Sequence, residues 1–221
     1  MKESKIINAL QFYLLATELK DTIRSGWKIW EVDRERLESV AEHIYGSCIL
    51  AIAMDSEFDM KIDLKKVILM LVIHELEEIK IGDLTPFAKI TKEEKRKIGR
   101  EAVCEILQDL TKKKEYINLI DEFEEMETKE AKFCKMIDKL EANIQAKIYC
   151  EENRADIQNL KNKAILKDEK IAAMMRAGNK TVAEFFIEAD KPIYTEEFLE
   201  IANFVKNNDL YDLDKNRFNR R

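Results

Sequence analysis

Helix breakers are almost missing from this sequence: 5 Gly and 2 Pro stand among 221 residues, while apolar residues return every three or four positions nearly throughout. Turns and strand ends are built largely from glycine and proline. A chain this poor in both, and rich in Leu, Ile, Lys and Glu, is restricted to helices joined by short polar links. The expected fold class is therefore all-α, a helical bundle. Hydrophobic residues make up 46% of the chain, enough for a packed core. The length suits one substantial domain, or a domain with an appendage.

The spacing predicts a first helix over about Lys5 to Lys20, with Ile6, Leu10, Tyr13, Leu14 and Leu19 along its apolar side. An irregular stretch holding Arg24, Gly26 and Trp27 follows. Ser39 with Glu42 three residues on forms a capping box, in which hydroxyl and carboxylate satisfy orphan amides reciprocally, and opens a second helix. Thr91 with Glu94 and Thr181 with Glu184 repeat the pattern; Asp63 and Thr195 read as single caps. The helix after Asp63 is expected to run to Gly82. Its middle, Val67 to Ile73, is apolar all round, as in a helix at the centre of a bundle. Further helices are expected over about Thr91 to Leu110, Tyr116 to Glu125, and from Thr128 into the 150s. Ile157 to Arg176 also reads as helical, and the tail from Asp212 to Arg221 as frayed.

Charge and cysteine usage narrow the function classes. Net charge is −6, and no basic stripe runs along a helix, so a nucleic acid polymer is excluded as a partner. A small anionic substrate stays open, because an ion and one or two Arg residues suffice for a single phosphate. No apolar run is long enough to span a membrane, and the charges at Lys2, Glu3, Lys5, Glu18 and Lys20 do not read as a signal peptide. Cys48, Cys104, Cys134 and Cys150 include no C-x-x-C pair and read as reduced thiols of a cytoplasmic protein.

The chain has 2 His, both in unusual company. His43 lies one turn inside the second helix. His74 follows the apolar run directly and precedes Glu75. A titratable pair at the end of a hydrophobic helix is costly unless something pairs with it. That partner is either a hydrogen-bonding neighbour or a metal, and imidazole with carboxylate suits Zn, Mn, Fe, Co or Ni. On one helix His74 and Glu78, four apart, face the same way, and Gly82 can turn Asp83 back toward that face. Asp138 interrupts an apolar stripe of Ile137, Leu140 and Ile144; it is either a helix-surface acid or a buried one with a purpose.

Five stretches, in order and with matching spacing, resemble the 5′-deoxynucleotidase-like branch of the HD-domain phosphohydrolases. Leu19-Lys20 with Arg24, Gly26 and Trp27 resembles the branch's L-K-x-x-x-R-x-G-W. Glu38-Ser39-Val40-Ala41-Glu42-His43 resembles E-S-V-A-E-H, and His74 through Pro86 resembles H-D-L-x-E-x-x-x-G-D-x-T-P. Glu130-Ala131-Lys132 resembles E-A-K, and Asp138-Lys139-Leu140-Glu141 with Gln145-Ala146 resembles D-K-L-E-x-x-x-Q-A. The resemblance covers about residues 5 to 152.

It implies one divalent transition metal ion held by His43, His74, Glu75 and Asp138. Glu75 departs from the family, which has Asp there, and its stem is one methylene longer. The resemblance further implies that Glu78 and Asp83 stand near the scissile phosphate, either one orienting water or protonating the leaving oxygen. Arg24 then contacts the substrate phosphate, Trp27 shapes the pocket beside it, and Arg36 falls on a substrate-binding position. The implied activity is hydrolysis of a small phosphate ester such as a nucleoside 5′-monophosphate, by a homodimer. Residues 1–152 would form the HD core, and residues 153–221 a helical extension packing on the core or on a partner subunit. Two other readings stand beside this one. The Glu75 substitution suits a nucleotide-binding module of weak or lost turnover, and an interaction protein would use the histidines as packing.

Overall fold

The computed structural model describes residues 2–85, 87, 88 and 90–214. Pro86, which closes the third motif, and the tail beyond residue 214 lie outside the described residues. The regular elements among those described are helices: α1 (Lys2–Ala16), α2 (Ser25–Ile29), α3 (Val40–Phe58), α4 (Leu64–Ile73), α5 (Glu78–Ile81), α6 (Lys92–Ile106), α7 (Lys113–Glu125), α8 (Lys129–Glu151), α9 (Lys163–Leu166), α10 (Glu169–Arg176), α11 (Val182–Asp190) and α12 (Glu196–Asn207). One isolated antiparallel bridge joins Ile23 to Ser39. The all-α expectation holds.

The chain divides into two compact units, Met1–Ser25 with Leu37–Ile137, and Gly26–Arg36 with Asp138–Arg221. The division falls inside α8, between Ile137 and Asp138; the 152/153 position lies within the second unit.

Caps legible in the sequence start α3, α4 and α6. Ser39 and Thr91 complete both halves of their capping boxes, and the Asp63 carboxylate accepts from the Lys66 amide. Ile73, Leu76, Val103, Leu107 and Ile120 bury together as one cluster from α4, α6, α7 and the turns after α4 and α6. Each such side chain is worth about 1.5–3 kcal/mol in burial. Two expectations need correction. The apolar side of α1 is uncovered: Ile6, Leu10, Tyr13 and Leu14 are exposed, Leu14 at 63%, and only Leu19, in the 3₁₀ turn after the helix, is buried. Periodicity tells that a helix has an apolar face, not what covers it.

The second correction is the helix expected to run from Asp63 to Gly82, which stops at Ile73. His74 to Glu77 form a tighter turn, with Glu78 N–H bonding the Glu75 carbonyl and Ile79 N–H the Leu76 carbonyl, before the short α5 and Gly82 at φ +70°. His74 and Glu78 are therefore not an i, i+4 pair on one α-helix.

In the second unit, Trp27 is 1% exposed, edge-on to Tyr149 at 5.1 Å and stacked on Phe186 at 5.5 Å. Trp30 stacks on Phe185 at 5.7 Å. The Asp33 amide bonds the Arg154 carbonyl, the Lys161 amide the Glu31 carboxylate, and the Asn162 side chain the Ile29 carbonyl. So residues beyond 153 pack within this unit on the 26–36 segment and the end of α8. The continuous helix expected over Ile157 to Arg176 is broken into a 3₁₀ turn, α9 and α10, because Asn162 and Asp168 turn their side chains onto the following amides as caps. Thr181 completes its box, while Thr195 takes the N-cap position of α12 without a side-chain bond.

Candidate active site

The segment before Ser25 is laid against the start of α3. Val40 N–H bonds the Thr22 carbonyl at 2.8 Å, and Arg24 N–H bonds the Glu38 carbonyl at 3.0 Å. Ser39, bridged to Ile23 between them, is also the N-cap of α3. This pairing sets Arg24 beside the buried Glu38, with Nε 3.9 Å from Oε2, and starts the helix that carries His43 one turn further on. His43 is fully buried.

His74 sits at the C-terminal end of α4, with Nδ1 2.7 Å from the Leu71 carbonyl. A carbonyl can only accept, so Nδ1 carries the proton and Nε2 presents a lone pair. The bond also takes a carbonyl that a continuing α-helix would offer to Glu75, which agrees with the helix ending here. The ring packs on Phe123, centroids 4.7 Å apart, and lies 6.2 Å from the His43 ring. Its Nε2 is 3.4 Å from a Glu75 carboxylate oxygen. Asp138, the residue directly after Ile137 on the unbroken α8, supplies the last acid. One ligand atom each from His43, His74, Glu75 and Asp138 lies within 4.8 Å of the others.

Two imidazoles and two carboxylates, largely buried, form a donor set suited to a borderline divalent ion. Asp138 is already paired with the Lys139 ammonium, 3.3 Å from its Oδ2. The residues present fit such an ion, and Glu75 reaches the group despite its longer stem.

Around this group stand further acids, with Arg24 and Lys95 acting on Glu78 in addition to Lys139 beside Asp138. Glu78 is 5% exposed. Burial first, then the charges of Glu75 and Asp83, hold its carboxyl far above the usual carboxylate range, while Arg24 and Lys95 pull the other way. The Asp83 carboxylate accepts the Ser25 backbone N–H at 2.5 Å, which ties the turn after α5 to the entry segment. Glu77 is pushed up to about 7, by burial and then by Glu75 and Glu124. Glu38, Glu77 and Lys95 were not singled out by sequence reasoning. Glu38 and Glu77 stand inside quoted stretches, Glu77 at an unspecified position, and nothing local marks Lys95. Arg36 is exposed and Trp27 is deeply buried, both in the segment that belongs to the second unit; neither is one of the four converging ligands.

Comparison with known proteins identifies the family. The family model described as HD domain matches residues 16–177. The 5′-deoxynucleotidase HDDC2 of Dictyostelium discoideum is 37% identical over 149 residues, covering 64% of this chain and 77% of that protein. The human 5′-deoxynucleotidase HDDC2 is 34% identical over 142 residues, covering 63% of this chain and 67% of its own length. Among solved structures, a conserved hypothetical protein from Pyrococcus furiosus superposes with a TM-score of 0.61 at 28% identity, covering 89% of this chain and 98% of that one. The chain belongs to the HD-domain family.

Proposed function

We propose that this chain is a 5′-deoxynucleotidase-like, metal-dependent phosphohydrolase that cleaves (deoxy)nucleoside 5′-monophosphates to nucleoside and phosphate. The observation that carries the reading is the convergence of His43, His74, Glu75 and Asp138 within 4.8 Å, in an HD-domain chain whose relatives in D. discoideum and human are named 5′-deoxynucleotidases. One divalent transition ion, of Mn, Co, Fe, Ni or Zn, held by those four residues supplies Lewis acidity and lowers the pKa of water toward neutrality.

The chain's own residues do the rest. His74 is fixed by Leu71 in the tautomer that presents Nε2. Arg24, set by its bond to the Glu38 carbonyl, binds the phosphate oxygens on which charge builds. Glu78, whose burial keeps it protonated, donates to the leaving 5′-oxygen. Asp83, anchored by the Ser25 amide, stays in place to orient the attacking water. Arg36 is a further substrate contact implied by resemblance. The buried ring of Trp27 anchors the segment that follows Arg24 and, by resemblance, shapes the pocket beside it.

The test is phosphate release from deoxynucleoside monophosphates by protein loaded with Mn or Co, together with metal analysis. The intact protein is expected to release phosphate, and Asp138→Ala to lose both the ion and the activity. Unchanged turnover in Asp138→Ala overturns the site. Nucleotide binding without phosphate release would instead favour the binding-module reading that Glu75 raises.

We place the protein in the cytoplasm as a homodimer. Among the described residues no helix is long and apolar enough to cross a membrane, and all four cysteines are free thiols, as a reducing compartment keeps them. Ile6, Leu10, Tyr13 and Leu14 on α1 and Tyr45, Ile49 and Ile52 on α3 are exposed at helical spacing, apolar faces that a second copy can cover. Light scattering should give a dimer mass, and Leu10→Asp with Ile49→Asp should give a monomer.

A further inference from the structure

We propose that Lys95 is a second phosphate contact, which completes with Arg24 a two-cation clamp around the phosphoryl group of the substrate. This rests on reading the site as a phosphohydrolase centre, but it concerns a residue outside the motifs and outside the ligand set. Lys95 stands one turn inside α6, whose start is fixed by the Thr91 and Glu94 capping box. Gly99, one turn further along the same face, is buried against Glu77: a Cβ built there would lie 3.2 Å from the Glu77 carboxyl carbon. That face of α6 is therefore pressed onto the turn that carries Glu75, Glu77 and Glu78. A glycine inside a helix costs about 1 kcal/mol relative to alanine; here a methyl group would require the Glu77 carboxylate to give way slightly.

The ammonium of Lys95 donates to the Leu84 carbonyl at 3.3 Å. Leu84 follows Asp83, whose carboxylate is tied to the amide of Ser25, next to Arg24. Among the described residues this is the hydrogen bond Lys95 makes, so two of its three N–H donors have no protein partner. Its charge is nonetheless felt at Glu78, as is that of Arg24, with Glu75 and Asp83 opposing both. Glu78 thus stands in the field of one cation from the entry segment and one from α6. A phosphomonoester dianion with three non-bridging oxygens is the kind of ligand two such cations recognise. A half-buried lysine with spare donors meets it without having to give up an ion pair first.

The experiment is calorimetric titration of inorganic phosphate, and separately of deoxynucleosides, into the Mn-loaded full chain, comparing the unaltered protein with Lys95→Met and Lys95→Arg. A lost charge-assisted contact should weaken phosphate binding by about tenfold or more in Lys95→Met. Lys95→Arg should stay within a few-fold, deoxynucleoside affinity should be unchanged, and KM for nucleoside monophosphates should rise with the phosphate Kd. Equal phosphate affinity in Lys95→Met overturns the proposal. So does an equal loss for phosphate and deoxynucleoside, which would mark a lysine that only pins the loop, and so does an unaltered protein that binds no phosphate. Lys95→Gln gives the same comparison if the Met variant does not fold. Phosphate binding that depends on Lys95, in a protein that hydrolyses no nucleotide, would keep the clamp and discard the nucleotidase reading.

Discussion

Replacing Glu77 by Gln should stabilise the ion-free protein at alkaline pH and do little for it in acid. The folded protein holds this carboxyl at about 7 against an ordinary 4.5, chiefly because burial disfavours the carboxylate and secondly because Glu75 and Glu124 add like charge. The difference, 7 less 4.5, is worth about 3 kcal/mol at ~1.36 kcal/mol per pKa unit. Solvent at the partly exposed side chain makes that a ceiling. The sign follows from proton counting. Between pH 4.5 and 7 the unfolded chain releases its proton while the folded one keeps it, so stability falls as pH rises through that window. The loss is complete above 7 and absent below 4.5. Glutamine does not titrate. Urea unfolding of the metal-free protein should therefore show Glu77→Gln ahead by under ~1 kcal/mol at pH 5 and by about 2–3 kcal/mol at pH 8.5. An advantage of equal size at both pH values, or none at either, would refute the assignment of Glu77 as a buried acid strained by its neighbours.

Glu75→Asp shortens a ligand that already reaches the other three, so metal affinity should fall by on the order of tenfold in a Co titration followed by absorbance. Tighter binding would mean that the backbone is set for the shorter acid. Trp27→Ala empties a site closed by Tyr149 and Phe186 and should cost about 3–5 kcal/mol in chemical denaturation, while the ion still binds to refolded protein; a cost under ~1 kcal/mol would deny Trp27 its anchoring part.

What could be read from the sequence was what is decided locally. Ser39, Thr91 and Thr181 announce helix starts because a capping box is complete within four residues. His74, Glu75 and Asp138 were legible as candidates because they put polar groups against an apolar pattern, and His43 because the motif around it, like theirs, resembles a known family. The break at His74 was not legible: the bond from its ring to the Leu71 carbonyl answers to the site, and an i, i+4 pattern runs through it undisturbed. Asn162 and Asp168 look like tolerable helix residues until their side chains are seen capping the next turn. The fit of Glu77 against Gly99, and the reach of Lys95 to Leu84, depend on how α6 meets the turn before α5 and the loop after it, and no local signal carries that.

The ladder between Thr22–Arg24 and Glu38–Val40 makes one event of what might have been two. Ser39 is at once its middle rung and the cap of the helix bearing His43, so any fluctuation that peels the two segments apart also unplugs that helix end. The amides of Arg24, Val40 and Glu42 should then exchange with deuterium at one shared opening energy. A molecule built this way cannot let Arg24 drift while keeping the first imidazole in register; it either presents both or surrenders both.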